Sequence, residues 1–225
     1  MHPRSWMLVP GDDEGALAAA AAAGAEAVVV DLSDPVPGEA KAQARWTLDA
    51  WLRTGTVPTG DVWVRINGGD LLEDDVQVVL CHDIAGIWVP AATDAGLLVE
   101  LDHILGARRA VLCPVIETAV GLLNSGGLAA VDRVSHLAIG EGPLGRELGL
   151  DPSADEVELA SVRGHLVVIS AAFAKRPPIG SAPRPDCAPD DVLASSERLR
   201  RLGYAGRAVL DPNHVALVHD VWGRA

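Results

Sequence analysis

A closed (β/α)8 barrel, an α/β fold of the TIM-barrel class, is what the sequence predicts, on three observations. Short β-branched or apolar runs alternate with longer helical patterns along the chain. Eight such pairs fit into 225 residues, near the lower end of the usual size of this barrel. Most of the runs are continuously hydrophobic, as strands covered on both faces are. An open doubly wound sheet is the competing architecture, but it normally carries fewer strands. No linker rich in Ser, Gly or charge divides the chain, so residues 1–225 are expected to form one barrel domain.

The strands are expected at Trp6–Pro10, Val28–Leu32, Val62–Ile66, Gly86–Pro90, Ala110–Ile116, Val134–Gly140, Pro178–Ala182 and Arg207–Leu210. Pro178–Ala182 is the weakest, because it lies in the irregular stretch Arg176–Pro189 with its five prolines. A helix over Glu14–Ala23 is opened by the Asp12-Asp13 pair, which can cap it and favour the positive end of its dipole. Further helices are expected at Gly38–Arg53, Leu71–His82, Asp94–Leu105, Ala119–Ala130, Asp155–Lys175, Asp190–Leu202 and Pro212–Trp222. Gly140-Glu141-Gly142-Pro143 reads as a simple turn between strand and helix, lacking the spaced glycines and lysine of a phosphate loop.

Composition excludes several function classes. A formal net charge of −13 argues against nucleic-acid binding, which needs clustered Lys and Arg, and against attraction to anionic membranes. The longest purely apolar run, Ala16–Ala23, is far short of the roughly 20 residues that span a bilayer. No export signal stands at the N-terminus, and Cys81, Cys113 and Cys187 are too few and too widely spaced for a disulfide framework. A reducing, cytoplasmic setting is therefore expected. The seven histidines form no HxH or HExxH pattern, and no Gly-x-Ser-x-Gly elbow is present, so neither zinc nor serine-nucleophile chemistry has support.

In such a barrel, function sits at the C-terminal ends of the strands. The candidates there are Pro10-Gly11-Asp12 at the end of the first strand, Asp31 at the end of the second with Asp34 close behind, Arg65 and Asn67 on the third, Glu117 at the end of the fifth, Gly140-Glu141-Gly142 at the sixth, and Asp211, Pro212 and His214 at the eighth. Arg65 lies in an apolar run, where a guanidinium is costly unless an anion answers it. Two readings stand: a bidentate clamp on a substrate carboxylate, or a structural ion pair with Asp31 or Asp34. Glu117 could be a hard-cation ligand or simply a carboxylate favoured at a helix N-terminus.

Taken in order, Arg4-Ser5-Trp6-Met7-Leu8-Val9-Pro10-Gly11, Val30-Asp31-Leu32-Ser33-Asp34-Pro35-Val36, Lys41 to Arg45, Val64-Arg65-Ile66-Asn67, Pro114-Val115-Ile116-Glu117-Thr118 and Leu202-Gly203-Tyr204 resemble the citrate lyase β-subunit family, within the HpcH/HpaI aldolase superfamily. The resemblance implies a barrel that is usually a trimer or hexamer. It implies Mg²⁺-dependent making or breaking of a carbon–carbon bond between a 2-oxo acid and an acyl-CoA such as citryl-, malyl- or citramalyl-CoA. On that basis Arg65 would hold the substrate carboxylate and Glu117 would be one Mg²⁺ ligand, the two being the catalytic candidates; Asp31, Asp34 and Gly140 are expected with Arg65 among the substrate-binding residues. The chemistry agrees: retro-aldol cleavage leaves an enolate that needs a positive centre. A Schiff base would need a lysine at the site, and neither Lys41 nor Lys175 is placed for one.

The sequence also departs from the family pattern. Where the family carries its second metal aspartate, in a Gly-Ala-Glu-Asp-Leu segment, this chain has Pro143, and Glu141 is the expected substitute ligand. Ser33 replaces a glutamate of the family's Asp-Leu-Glu-Asp, Ala91 a lysine after the fourth strand, and Asp211 the histidine of an Ile-His-Pro segment. The chain stops at Ala225, where longer relatives continue into a C-terminal helical segment. Two functions follow as expectations. One is a lyase on an acyl-CoA or small oxo acid, with Arg65 facing Glu117 across a gap sized for a cation-chelated keto acid. The other is a catalytically impaired paralogue acting as a binding or scaffolding subunit.

Overall fold

The computed structural model describes residues 2–54, 61–153 and 155–223. Eight parallel strands close into a barrel in sequence order: β1 (Ser5–Pro10), β2 (Ala27–Asp31), β3 (Asp61–Arg65), β4 (Gly86–Val89), β5 (Val111–Ile116), β6 (Ala138–Ile139), β7 (Ile179–Gly180) and β8 (Gly206–Val209). β8 pairs with β1 to close the ring. The helices are α1 (Glu14–Ala22), α2 (Lys41–Arg53), α3 (Leu72–Leu80), α4 (Gly96–Leu105), α5 (Ala119–Leu123), α6 (Ser125–Ala129), α7 (Glu141–Leu148), α8 (Ala160–Ala172), α9 (Pro189–Leu202) and α10 (His214–Trp222). None of the described helices is long and apolar enough to cross a membrane.

The period-2 alternation of a strand divides the core into two layers. Trp6, Ala27, Val29, Trp63, Trp88, Cys113, Val115, Ala138, Ile179 and Ala208 form a cluster that fills the barrel. Val9, Val28, Val30, Val62, Val64, Leu112, Ile116 and Val209 belong to the larger cluster shared with the helices, among them Leu17, Leu48, Leu101 and Leu166. The same alternation carries Asp31, two residues beyond Val29, Arg65, beyond Trp63, and Glu117, beyond Val115, onto the inner side of the barrel at its C-terminal mouth. Asp31 and Arg65 are direct partners in the β2–β3 register.

Several expected elements differ in the structure. β6 and β7 are only two residues long, and Val134 contributes a single bridge to Leu112 rather than a continuous strand. The helix expected over Ala119–Ala130 is two short helices meeting at Asn124, whose side chain donates to the Thr93 carbonyl (2.8 Å). The helix expected from Asp155 starts at Ala160, behind a single 3-10 turn that Glu156 opens with a positive φ of 56°. The turn expected at Gly140–Pro143 is the first turn of α7. Proline is tolerated there because first-turn N–H groups have no intrahelical acceptor. Asp13 alone caps α1, accepting from the Ala16 N–H (2.9 Å).

Candidate functional site

The mouth is organised around the Arg65 guanidinium. Its Nη1 donates to Asp31 Oδ2 at 2.9 Å and its Nη2 to Glu117 Oε1 at 2.9 Å, with Asp34 Oδ2 at 3.6 Å from Nη2. Arg65 is 8% exposed, and its Nε is buried with no hydrogen-bond partner among the described residues. Burial works against its charge, but Asp31 and Glu117 outweigh it and raise its pKa. Of the two sequence readings of Arg65, the structure shows the ion pair: the guanidinium pairs with Asp31, approaches Asp34 and also touches Glu117. The expected gap between Arg65 and Glu117 is closed, since the two side chains are in direct contact.

Each partner is itself held. Asp31 Oδ1 accepts from the Ser33 N–H (2.8 Å) and hydroxyl (2.6 Å), so Ser33 braces the aspartate. The loop that follows is clamped by Lys41, whose Nζ donates to the Leu32 and Ser33 carbonyls (2.7 and 2.6 Å). Asn67 Nδ2 reaches the Leu32 carbonyl and Asp75 Oδ2, both at 2.7 Å. Asp75, wholly buried, also takes the Asn67 N–H (2.7 Å) and Arg45 Nη1 (3.1 Å). The Lys41 to Arg45 segment singled out in the sequence thus steadies the loop bearing Asp31 and Asp34. Asp75 has no signal of its own in the sequence: it looks like one more acid in the first turn of α3.

Glu117 sits just before Thr118, which caps α5 by accepting from the Gly121 N–H (3.0 Å). Its Oε2 accepts from the backbone N–H of Ala91 (3.0 Å), a residue held at a positive φ of 46°. Burial raises the Glu117 pKa, with Arg65 and the Ala91 N–H pulling the other way. Gly140 makes room for this carboxylate: a Cβ there would lie 2.5 Å from Glu117 Cγ. The Ala91 amide is a site group that sequence reasoning misses, because a backbone donor leaves no trace in side-chain type.

Glu141, the expected substitute metal ligand, stands apart from this cluster. Both of its oxygens accept from Arg163, Oε1 from Nε at 2.6 Å and Oε2 from Nη2 at 2.8 Å. Arg163 is buried and also donates to Glu156 (2.8 Å). Among the described residues, no three Asp, Glu, His or Cys side chains converge as a metal-binding group. Asp31 and Glu117 are both ion-paired with Arg65, and Glu141 with Arg163, so a cation at any of them would stand beside a guanidinium, and Pro143 offers no ligand; the residues present do not fit the Mg²⁺ site that the resemblance implies. The physical reason is that each carboxylate has an arginine or an N–H donor as its nearest partner.

Comparison with known proteins places this barrel. The profile of the HpcH/HpaI aldolase/citrate lyase family matches residues 4–212. A (3S)-malyl-CoA thioesterase of Cereibacter sphaeroides is 28% identical over 98% of this chain and 78% of its own length. A citrate lyase subunit beta-like protein of Deinococcus radiodurans is also 28% identical, over 98% of this chain and 80% of its own. Among solved structures, the citrate lyase beta subunit of Mycobacterium tuberculosis complexed with oxaloacetate and magnesium superposes with a TM-score of 0.83 at 22% identity, covering 98% of this chain and 96% of that one. With the profile running from ahead of β1 to beyond β8 on a closed eight-stranded barrel, the chain belongs to the HpcH/HpaI aldolase/citrate lyase family.

Proposed function

We propose that this chain is a carbon–carbon lyase-type member of its family whose barrel mouth receives a small 2-oxo acid, with an acyl-CoA thioester as the other partner in the reaction. The observation that carries the reading is Arg65, a buried guanidinium at the C-terminal end of β3 whose Nε–H has no partner among the described residues. An arginine offers a planar fork that matches a carboxylate in two parallel hydrogen bonds. Cleavage next to a carbonyl develops enolate charge, and Arg65 is the positive charge that the mouth itself supplies. Mg²⁺ would polarise the oxo-acid oxygens if bound, but the donor set of this mouth does not suit it. The names of two relatives, a (3S)-malyl-CoA thioesterase and a citramalyl-CoA lyase, support CoA esters of malyl or citramalyl type as the substrate class.

On the same reading residues 1–225 act as one domain in a homo-oligomer, for which exposed apolar side chains such as Leu123 (83%) and Val168 (65%) offer surface. A cytoplasmic setting goes with the three unbridged cysteines. A second reading, a paralogue that binds without turnover, is favoured by one observation: Glu141 is committed to Arg163 and Pro143 offers no ligand.

Incubation with pyruvate, glyoxylate or oxaloacetate plus acetyl-CoA, and separately with citramalyl-CoA, followed by mass spectrometry of the thioesters, tests the proposal. Turnover is expected, falling by about 100-fold or more in Arg65→Ala. Unchanged turnover in that variant would remove Arg65 from the reaction. Oxo-acid binding with no change in any thioester would leave the binding-subunit reading.

A further inference from the structure

Of the four carboxylates that the sequence offered for the site, Asp31, Asp34, Glu117 and Glu141, three are held by an arginine at 2.9 Å or less. Asp31 has Oδ1 on Ser33 and Oδ2 on Arg65; Glu117 has Oε1 on Arg65 and Oε2 on the Ala91 amide. Glu141 gives both oxygens to Arg163, and withdrawing it toward a cation would take away the bidentate partner of a guanidinium that is 1% exposed. Asp34, with its side chain 87% exposed at the rim, is the remaining one. Mg²⁺ gives up its water reluctantly and wants carboxylate lone pairs in near-octahedral order, so a single rim carboxylate holds it poorly.

Arg65, in contrast, has donor capacity to spare. Nη1 is fixed on Asp31, which sets the plane of the guanidinium. The opposite edge carries Nε, which has no partner among the described residues, beside Nη2, which bonds Glu117. Those two N–H groups form the side-on fork that receives a carboxylate in parallel hydrogen bonds. Nη2 carries two N–H groups, so one stays on Glu117 while the other joins Nε in receiving the ligand, and Glu117 keeps both of its partners.

We infer that the mouth of this barrel holds the carboxylate of its oxo acid on the Nε/Nη2 edge of Arg65 and takes no divalent cation. The inference rests on the mouth being an oxo-acid site, and the test separates the two. Pyruvate is titrated calorimetrically into the full chain, once in EDTA and once in excess Mg²⁺. The dissociation constants are expected to agree within about twofold, whereas a chelating site would bind about tenfold or more tightly with the metal. Binding that requires Mg²⁺ overturns the metal-free inference and leaves the oxo-acid site standing. No binding in either buffer overturns both. Titration with Mn²⁺ alone, followed by electron paramagnetic resonance, is expected to show no saturable site; a stoichiometric site that disappears in Glu117→Gln overturns the inference. Arg65→Lys keeps the charge and loses the fork, so pyruvate affinity in EDTA should fall by about tenfold. An unchanged affinity in a variant with wild-type thermal unfolding overturns the fork.

Discussion

Taking the guanidinium of Arg65 out of water costs several kcal/mol of solvation, and Asp31, Asp34 and Glu117 share the work of offsetting it. The sequence made Arg65 and Glu117 conspicuous, a charge inside an apolar strand and an acid at a strand's end, but it left their partners open. Glu141 went the other way. Its place after the sixth strand suggested a metal ligand, whereas the structure ties it to Arg163, twenty-two residues on and unremarkable in the sequence. Removing one partner from a buried pair leaves the other charge uncompensated. Glu141→Ala is accordingly expected to lower stability by about 3–5 kcal/mol in urea unfolding, with Glu141→Gln losing less. A change under 1 kcal/mol would show that Glu156 alone satisfies Arg163.

At the scale of elements, strand alternation explains why three residues far apart in the chain meet. Asp31, Arg65 and Glu117 each stand two positions beyond an inward-facing core residue; the sequence placed them at strand ends, and the structure gave the face. Helix α7 was not, because Gly142 and Pro143 in its first turn are the residues that usually mark a break. The barrel interior shows a matching of sizes that sequence also hides. Trp63 on β3 lies against Gly86 on β4, where a Cβ would stand 2.3 Å from the indole and 2.6 Å from the Val111 carbonyl oxygen. Gly86→Ala is expected to destabilise the protein by about 1–3 kcal/mol, since neither a packed indole nor a strand carbonyl can yield cheaply. Chemical denaturation monitored by tryptophan fluorescence reads the change, and a neutral result would mean that the strands separate freely at this point.

Across the whole molecule, the barrel end opposite the mouth carries its own pH sensitivity. His136 precedes β6 and packs edge-on against Trp6 at 5.3 Å, with Ser135 Oγ on its Nδ1 at 2.9 Å. Burial, helped by the positive charge of Arg176 and by His2, holds its pKa down at about 3, against 6.5 for a free histidine. Between those values the unfolded chain takes up a proton that the folded one refuses. Stability is therefore complete above pH 6.5 and falls with acidity, by about 1.4 kcal/mol per pH unit from this group. Comparing wild type with His136→Gln over pH 4–7 should show a shallower acid loss in the variant; parallel curves would mean that His136 is protonated in the fold.

The sequence by itself determined the closed barrel, the order and approximate position of its strands and the family. It also picked out Asp31, Asp34, Arg65, Glu117 and Glu141 as charged candidates at the strand ends. These follow from hydrophobic periodicity and from local residue order, which act over a few positions at a time. Only the tertiary structure decided which anion answers which arginine. It closed Arg65 onto Glu117, drew in the Ala91 amide, and turned Glu141 onto Arg163 instead of the mouth. The reason is physical. An ion pair is decided by distances of a few ångströms between groups dozens of residues apart, and those distances exist only once the strands have closed into a ring.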